Sequence, residues 1–143
     1  MEQVNKRVTL IFTAVTLVLV GGLVAYAFFI AGSDGVRAQL EKGELRVQAM
    51  MCDVTCGLDE IERVELRQDY DLGRRTNGFG NMRMKSGAFK NDELGSYRCA
   101  TVTSSEWVIL VHIRNDQPLV FNQATGEDTQ AFYEQLQSAL PAA

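Results

Sequence analysis

Hydrophobic residues follow three different patterns along the chain, and each pattern predicts a different kind of element. The first is an unbroken apolar run from Val8 to Ala31 that contains no charged residue. At about 1.5 Å per helical residue the run would be about 36 Å long, which exceeds the roughly 30 Å of a bilayer core. It therefore predicts a transmembrane helix at residues 8–31, preceded by a short tail at residues 1–7.

A cleaved export signal is the alternative interpretation of this run. Residues 25–27, Ala-Tyr-Ala, have the small-x-small form of a signal-peptidase site. The apolar run before them is longer than in a usual signal peptide, and cleavage would leave Phe28–Ile30 at the new terminus, so a retained anchor is favoured. Lys6 and Arg7 favour a cytoplasmic N-terminus, which predicts a single-pass protein of the cell (inner) membrane with its C-terminal domain outside the cytoplasm.

The second pattern is an alternation of apolar and polar residues, which predicts strands. A linker is expected at residues 32–43, with a helical turn near Val36–Lys42, before a first strand at Glu44–Cys52 and a tight turn at Asp53. Trp107–Arg114 is rich in β-branched residues and predicts a central strand. The other strands expected from the pattern are Val54–Leu58, Ile61–Leu66, Met82–Met84, Ala88–Lys90, Tyr97–Thr103 and Pro118–Phe121, with Asn77-Gly78 as a turn.

The third pattern is a helical stripe near the C-terminus. A helix at about residues 126–140 would place Leu136 and Leu140 on one face. Thr125 is suited to cap its N-terminus through the backbone N–H of Asp128. Many short strands followed by one amphipathic helix predict a mainly β domain, either a small antiparallel barrel or two packed sheets, with the helix closing one end.

Composition narrows the classes of function. The chain has 143 residues, with 14 Lys and Arg against 18 Asp and Glu and a net charge of −4. This balance argues against nucleic acid as the partner, because phosphate binding requires clustered positive charge. The single histidine, His112, has no identifiable nucleophile beside it, and the three cysteines are too scattered to predict a metal site with it. No catalytic residue and no cofactor is therefore predicted.

One segment departs from the acidic balance. Between residues 74 and 90 the chain has five basic residues and no acidic one: Arg74, Arg75, Arg83, Lys85 and Lys90. They are candidate contacts for an anion or for an acidic partner. The alternative interpretation is that strand alternation points them in different directions, and that they only keep glycine-rich turns soluble.

Cys52 and Cys56 flank three residues at the expected turn. A structural disulfide between them is the first interpretation, since an exported domain would tolerate one. Free buried thiols are the second, and redox chemistry is disfavoured because the spacing is not Cys-x-x-Cys. Cys99 would remain an unpaired buried thiol.

Several segments together resemble the bacterial pleckstrin-homology-like (PH-like) domain family. They are Gly73–Gly80 (Gly-Arg-Arg-Thr-Asn-Gly-Phe-Gly), Gly87–Phe89, Trp107–Ile113, Phe121–Asn122 and Thr129–Leu136, within residues 44–140. The resemblance implies a bent antiparallel barrel of seven strands capped by the C-terminal helix. It also implies transmembrane segments as common companions, no general enzymatic activity, no agreed ligand, and assembly into rings in some relatives. Ser104-Ser105-Glu106 replaces prolines that are frequent in that family before the long apolar strand.

The predicted function is therefore that of a membrane-anchored scaffolding module whose PH-like domain binds a protein partner or a second copy, within a larger membrane assembly. The alternative is binding of anionic lipid or an envelope polymer through residues 74–90. Gly21 and Ala25 form a small-xxx-small pair that would let two membrane helices approach closely.

Overall fold

A computed structural model describes residues 2–33 and 35–141 of the chain, and side chains are described for all of these except residues 25–33. The first unit is a single helix, α1, at Glu2–Ser33. Its segment Glu2–Val24 is long and apolar enough to cross a membrane, although a signal sequence near an N-terminus would meet the same criterion. The second unit begins at Gly35 and contains all the strands.

Sheet A is a meander of three antiparallel strands at the start of this second unit. They are β1 at Arg37–Glu41, β2 at Glu44–Ala49 and β3 at Cys52–Gly57. Every second residue of β2 and β3 is buried, as expected for a sheet with one face on a core.

Two expectations for this region are wrong. The expected linker and helical turn are replaced by β1, because Val36, Ala38 and Leu40 alternate and pack on the core. The expected turn at Asp53 lies instead at Met50-Met51, since Ala49 pairs directly with Cys52 across a two-residue loop.

Sheet B has six strands, of which β5 and β4 form the two edges. The strands are β4 at Ile61–Gln68, β5 at Arg74–Gly80, β6 at Met84–Asn91, β7 at Gly95–Val102, β8 at Trp107–Ile113 and β9 at Leu119–Phe121, in the order β4-β8-β9-β7-β6-β5. The short β9 pairs antiparallel with β8 and parallel with β7, so the sheet is not wholly antiparallel. The mainly β PH-like fold is confirmed, but the described residues form nine strands in two open sheets instead of one seven-stranded barrel.

The glycine-rich region also differs from expectation. Asn77-Gly78 is not a turn but lies within β5, and the two short strands expected around Ser86-Gly87 are one strand, β6. Gly78 and Gly87 face each other across the ladder, and Gly87 has φ +116°. A Cβ on Gly87 would lie 2.6 Å from the Asn77 carbonyl oxygen, so the glycines serve close strand approach instead of chain reversal.

The main core lies between sheet A, one side of sheet B and helix α2 at Gly126–Ala139. We call this side of sheet B the sheet-A side. Leu45 of sheet A, Phe121 of sheet B and Leu136 of α2 are fully buried in it. The predicted cap is confirmed, since the Asp128 backbone N–H donates to Thr125 Oγ1 at 3.1 Å.

A second, smaller core covers the other side of sheet B. We call this the loop side, because residues 69–73 between β4 and β5 pass over it. Its buried residues are Phe89, Tyr97, Cys99, Val108, Leu110 and Val120, and Tyr70, Leu72 and Leu94 pack against them. The Tyr97 hydroxyl donates to the Leu72 carbonyl oxygen and fixes the crossing segment.

Candidate functional site

The hairpin β5–β6 carries all five basic residues of the segment between residues 74 and 90. Arg74 and Arg75 lie on β5, Lys85 and Lys90 on β6, and Arg83 in the turn between them. All five side chains are exposed. Within residues 2–33 and 35–141 none of the five takes part in an ion pair, whereas Arg67 and Arg98, elsewhere on sheet B, each bind a carboxylate at 2.9 Å. The hairpin therefore concentrates exposed cations that form no ion pair within the described residues, although Asp71 and Asp92 line the same cleft as Arg74 and Lys90.

Strand pairing distributes these cations over both sides of the sheet. Residues directly opposite each other in a ladder point to the same side. Arg74 is opposite Lys90, and both lie on the sheet-A side. Arg75 is opposite Phe89 and lies on the loop side, where its guanidinium covers Gly80, the residue opposite Lys85. Two cations on each side thus flank one strand edge, in place of a single flat basic patch.

The edge itself is formed by β5, which pairs only with β6 in the described sheet. Gly73 leads into β5 with φ +73°, and a Cβ there would collide with the Lys90 carbonyl oxygen. The register shifts at Thr76, whose hydroxyl donates to the Ala88 carbonyl oxygen at 3.2 Å. This bulge divides β5 into a first part that carries Arg74 and Arg75 and a glycine-rich second part that lies close to β6.

A polar network at the opposite edge of sheet B was not predicted from the sequence. His112 Nε2 on β8 and Glu65 Oε2 on β4 lie 2.6 Å apart, and Arg67 donates to Glu65 at 3.0 Å and to Glu93 at 2.9 Å. The hydrogen bond from His112, followed by that from Arg67, lowers the pKa of Glu65. Only the β4–β8 register, in which Arg63 is opposite His112, brings these residues together, so sequence spacing gives no signal for the network.

The predicted Cys52–Cys56 disulfide is wrong. Both residues lie on β3, four positions apart on an extended strand with no turn between them. Their Cα atoms are therefore separated by about 13 Å, well beyond the roughly 7 Å that a disulfide tolerates. Cys52, Cys56 and Cys99 are all free and buried, in agreement with the second interpretation. Burial raises the pKa of all three thiols, to about 11 for Cys56 and about 12 for Cys99.

Comparison with models of protein families shows which family has this architecture. The model of the family described as Bacterial PH domain matches residues 36–140, which is most of the chain. The chain belongs to the bacterial PH domain family. No curated protein and no solved structure is significantly similar to it.

The match to the bacterial PH domain confirms the resemblance seen in the sequence and extends it at the N-terminal end. It starts at residue 36 and so includes β1, which lay in the expected linker. PH-like domains are typically binding modules without catalytic activity. Within the described part of this bacterial PH domain, no three His, Cys, Asp or Glu side chains converge to hold a metal ion.

The expected helix-association pair lies outside the PH domain, on α1. Gly21 faces open space, with nothing within 4 Å of a Cβ placed there. Ala25 belongs to α1, but its side chain lies outside the described residues. Association through these two positions stays a prediction.

The Glu65 network should make the stability of the PH domain depend on pH. Because the pKa of Glu65 is lower in the folded than in the unfolded chain, the network stabilises the fold at neutral pH. This stabilisation is lost as the pH falls from the ordinary value of 4.5 through the lowered folded value. Glu65→Gln should therefore unfold at lower urea concentration than wild type at pH 7, with a smaller difference at pH 3, as followed by Trp107 fluorescence. A difference that is equal at both pH values would contradict this account, and the exposed Glu134→Gln is the control.

The cysteines should be slow to react until the domain unfolds. At pH 8 a thiol with a pKa of about 11 is ionised in about one molecule in a thousand, and the thiolate is the reactive form. We expect iodoacetamide to leave the native protein largely unmodified, and to add three groups after unfolding without reductant, as counted by mass spectrometry. A single adduct without reductant, rising to three with it, would show that a disulfide forms after all.

Proposed function

We propose that this protein is a membrane-anchored binding module whose PH domain holds a protein partner along the hairpin β5–β6. The observation that supports this proposal is the position of the cations, two on each side of an open strand edge and none in an ion pair within the described residues. The chain as a whole is acidic, with a net charge of −4. A basic edge on such a protein attracts acidic partners and orients their approach.

The distribution of the cations favours a protein over a flat membrane as the principal partner. A basic residue near an anionic bilayer contributes about 1 kcal/mol. A flat surface would contact only one side of the sheet, and therefore two cations, or three with Arg83. That gives about 2 to 3 kcal/mol, and it leaves the cations of the other side without a contact. A partner that follows the edge reaches both pairs, Arg74 with Lys90 and Arg75 with Lys85.

Anionic lipid, or an anionic envelope polymer, is the second candidate ligand. The turn between β5 and β6 supports lipid, because Met82 is 93% exposed and directly precedes Arg83. An exposed apolar tip beside a cation suits the interface of an anionic bilayer. In this version the hairpin would contact the membrane by its tip, and the edge cations would contribute little.

Comparing two double variants tests the partner and the lipid versions together. Arg74→Glu/Arg75→Glu replaces two of the four edge cations by carboxylates, which changes the formal charge of the edge from +4 to 0. The control Arg37→Glu/Lys42→Glu makes the same charge change at exposed residues of β1 and of the β1–β2 turn. We expect proteins cross-linked in cells to the full-length chain to fall about tenfold in the first variant, since losing two charge-assisted contacts costs more than 1.4 kcal/mol. The measurement is quantitative mass spectrometry of the detergent-purified adducts.

Two outcomes would contradict the partner version. One is equal loss of adducts in both double variants, because it would reflect net charge alone. The other is undiminished recovery of adducts in Arg74→Glu/Arg75→Glu together with capture of nanodiscs carrying the full-length chain by phosphatidylserine vesicles, abolished by Met82→Ser. That pattern would favour the lipid version.

For location, we propose a single-pass protein of the cell (inner) membrane with α1 as its anchor and the PH domain outside the cytoplasm. The cations Lys6 and Arg7 before the apolar run support this orientation. A membrane-impermeant maleimide should label Asp92→Cys in intact cells whose outer barrier is opened, because position 92 is exposed. Labelling only after the inner membrane is lysed would reverse the orientation. Recovery of a shortened, soluble chain would show cleavage.

A further inference from the structure

We infer that the partner contacts this PH domain through an extended acidic segment, which adds as a further strand to the free edge of β5. This inference rests on the proposed function and specifies the chemistry of the partner. Three features of the hairpin support it: the backbone of β5, the placement of the cations, and the surface left by its glycines.

The backbone of β5 provides the first feature. In an antiparallel pair, alternate residues direct their N–H and C=O groups away from the neighbouring strand. Within the described residues β5 pairs only with β6, and no other backbone hydrogen bond involves Arg74–Gly80. An edge of seven residues is long enough to bind an extended peptide by main-chain hydrogen bonds, with side chains supplying the selectivity.

The positions of the cations determine which sequence of an added strand fits the edge of β5. A strand points successive side chains to opposite sides of the sheet. Because Arg74 and Arg75 lie on opposite sides, an added strand would place consecutive acidic residues beside them, one on the sheet-A side and the next on the loop side. Lys90 and Lys85 lie on β6, one strand further from the added strand. A run of adjacent acidic residues is therefore matched better than acidic residues at every second position.

The same charges disfavour a second copy of β5 as the added strand. Edge strands that carry charges and bulges resist pairing with their own kind. Full-length antiparallel pairing of two β5 edges would set Arg74 and Arg75 of each copy against the glycine-rich half of the other, with no carboxylate beside any cation. A strand that carries carboxylates therefore matches this edge better than a second copy of β5 does.

The second half of β5 suits an apolar or small residue. Gly78 presents no side chain, Gly80 is covered on the loop side by the Arg75 guanidinium, and Phe79 on the sheet-A side is only half-buried. A partner residue that packs on Phe79 would complete the cover of this ring. The expected recognition segment is therefore acidic where it meets Arg74 and Arg75, and apolar a few residues further along β5.

Synthetic peptides test this inference on the full-length protein in neutral-lipid nanodiscs. The probe is acetyl-Glu-Asp-Glu-Asp-Thr-Val-Thr amide, and its neutral counterpart has Gln and Asn in place of the acids. We expect the acidic peptide to bind at least tenfold more tightly than the neutral one, as measured by fluorescence anisotropy. The Arg74→Glu/Arg75→Glu protein should lose this preference, while Arg37→Glu/Lys42→Glu should behave as wild type.

Methylation of alternate backbone nitrogens separates strand addition from simple charge attraction. Two isomers of the acidic peptide carry N-methyl groups at odd or at even positions, with identical charge. We expect one isomer to lose binding at least tenfold and the other to retain it, because only one set of amides faces β5. Equal binding by both isomers would overturn the inference, as would failure of the unmodified peptide to bind.

Failure of this inference is distinguishable from failure of the proposed function. If no peptide binds but cellular cross-linking still depends on Arg74 and Arg75, a partner is present and recognises the edge in another way. A concentration-dependent dimer that Arg74→Glu/Arg75→Glu abolishes would place a second copy at the edge, which overturns the acidic-segment inference. Capture by phosphatidylserine vesicles that competes with the peptide and resists both N-methyl patterns would assign the edge to lipid instead.

Discussion

The arrangement of this PH domain depends on one short connection, residues 69–73, which joins the two opposite edges of sheet B. Five strand spacings of about 4.8 Å amount to about 24 Å in a flat sheet, whereas the chain from Gln68 to Arg74 reaches only about 20 Å. The sheet must therefore curl towards its loop side. Arg67 on β4 accordingly reaches Glu93 beyond the end of β6, and Tyr97 holds the connection by its hydrogen bond to Leu72. The curl encloses the second core and leaves β5 without an outer neighbour.

This curl also explains the division between paired and unpaired charge. Where the edge strand β4 meets the β6–β7 turn, Glu65, Arg67 and Glu93 come within hydrogen-bonding distance and neutralise one another. No carboxylate pairs with the basic residues of β5–β6 within the described residues, so their charge remains available. Exposed pairs of this kind add little to stability, typically below 1 kcal/mol. Pairing the cations of the hairpin with carboxylates would therefore have added little to the stability of the fold.

The sequence predicted those elements whose signal is local. The stripe and the Thr125 cap of α2, the β-branched run of β8 and the apolar run within α1 all follow from short-range patterns.

The β1 strand was missed because the alternation of Val36, Ala38 and Leu40 follows immediately on the apolar helix. The turn predicted at Asn77-Gly78 was wrong because the same glycine that permits a turn also permits two strands to approach closely. The disulfide prediction failed because it depended on a turn placed three residues too late. Which strand is an edge depends on long-range pairing, so the sequence identified the cations of the hairpin but not the edge that they flank.

Burial makes the three thiols of the domain poor nucleophiles. A reactive thiol needs a lowered pKa and access to solvent, whereas burial raises the pKa of Cys52, Cys56 and Cys99. His112 is engaged with Glu65. The basic residues along one strand edge produce a local positive electrostatic field on a protein whose net charge is −4. At physiological salt this field extends about 8 Å, so it acts on a partner already near the edge. If α1 anchors the protein as proposed, the domain would meet its neighbours in the membrane repeatedly at short range, where an attraction of this range can act.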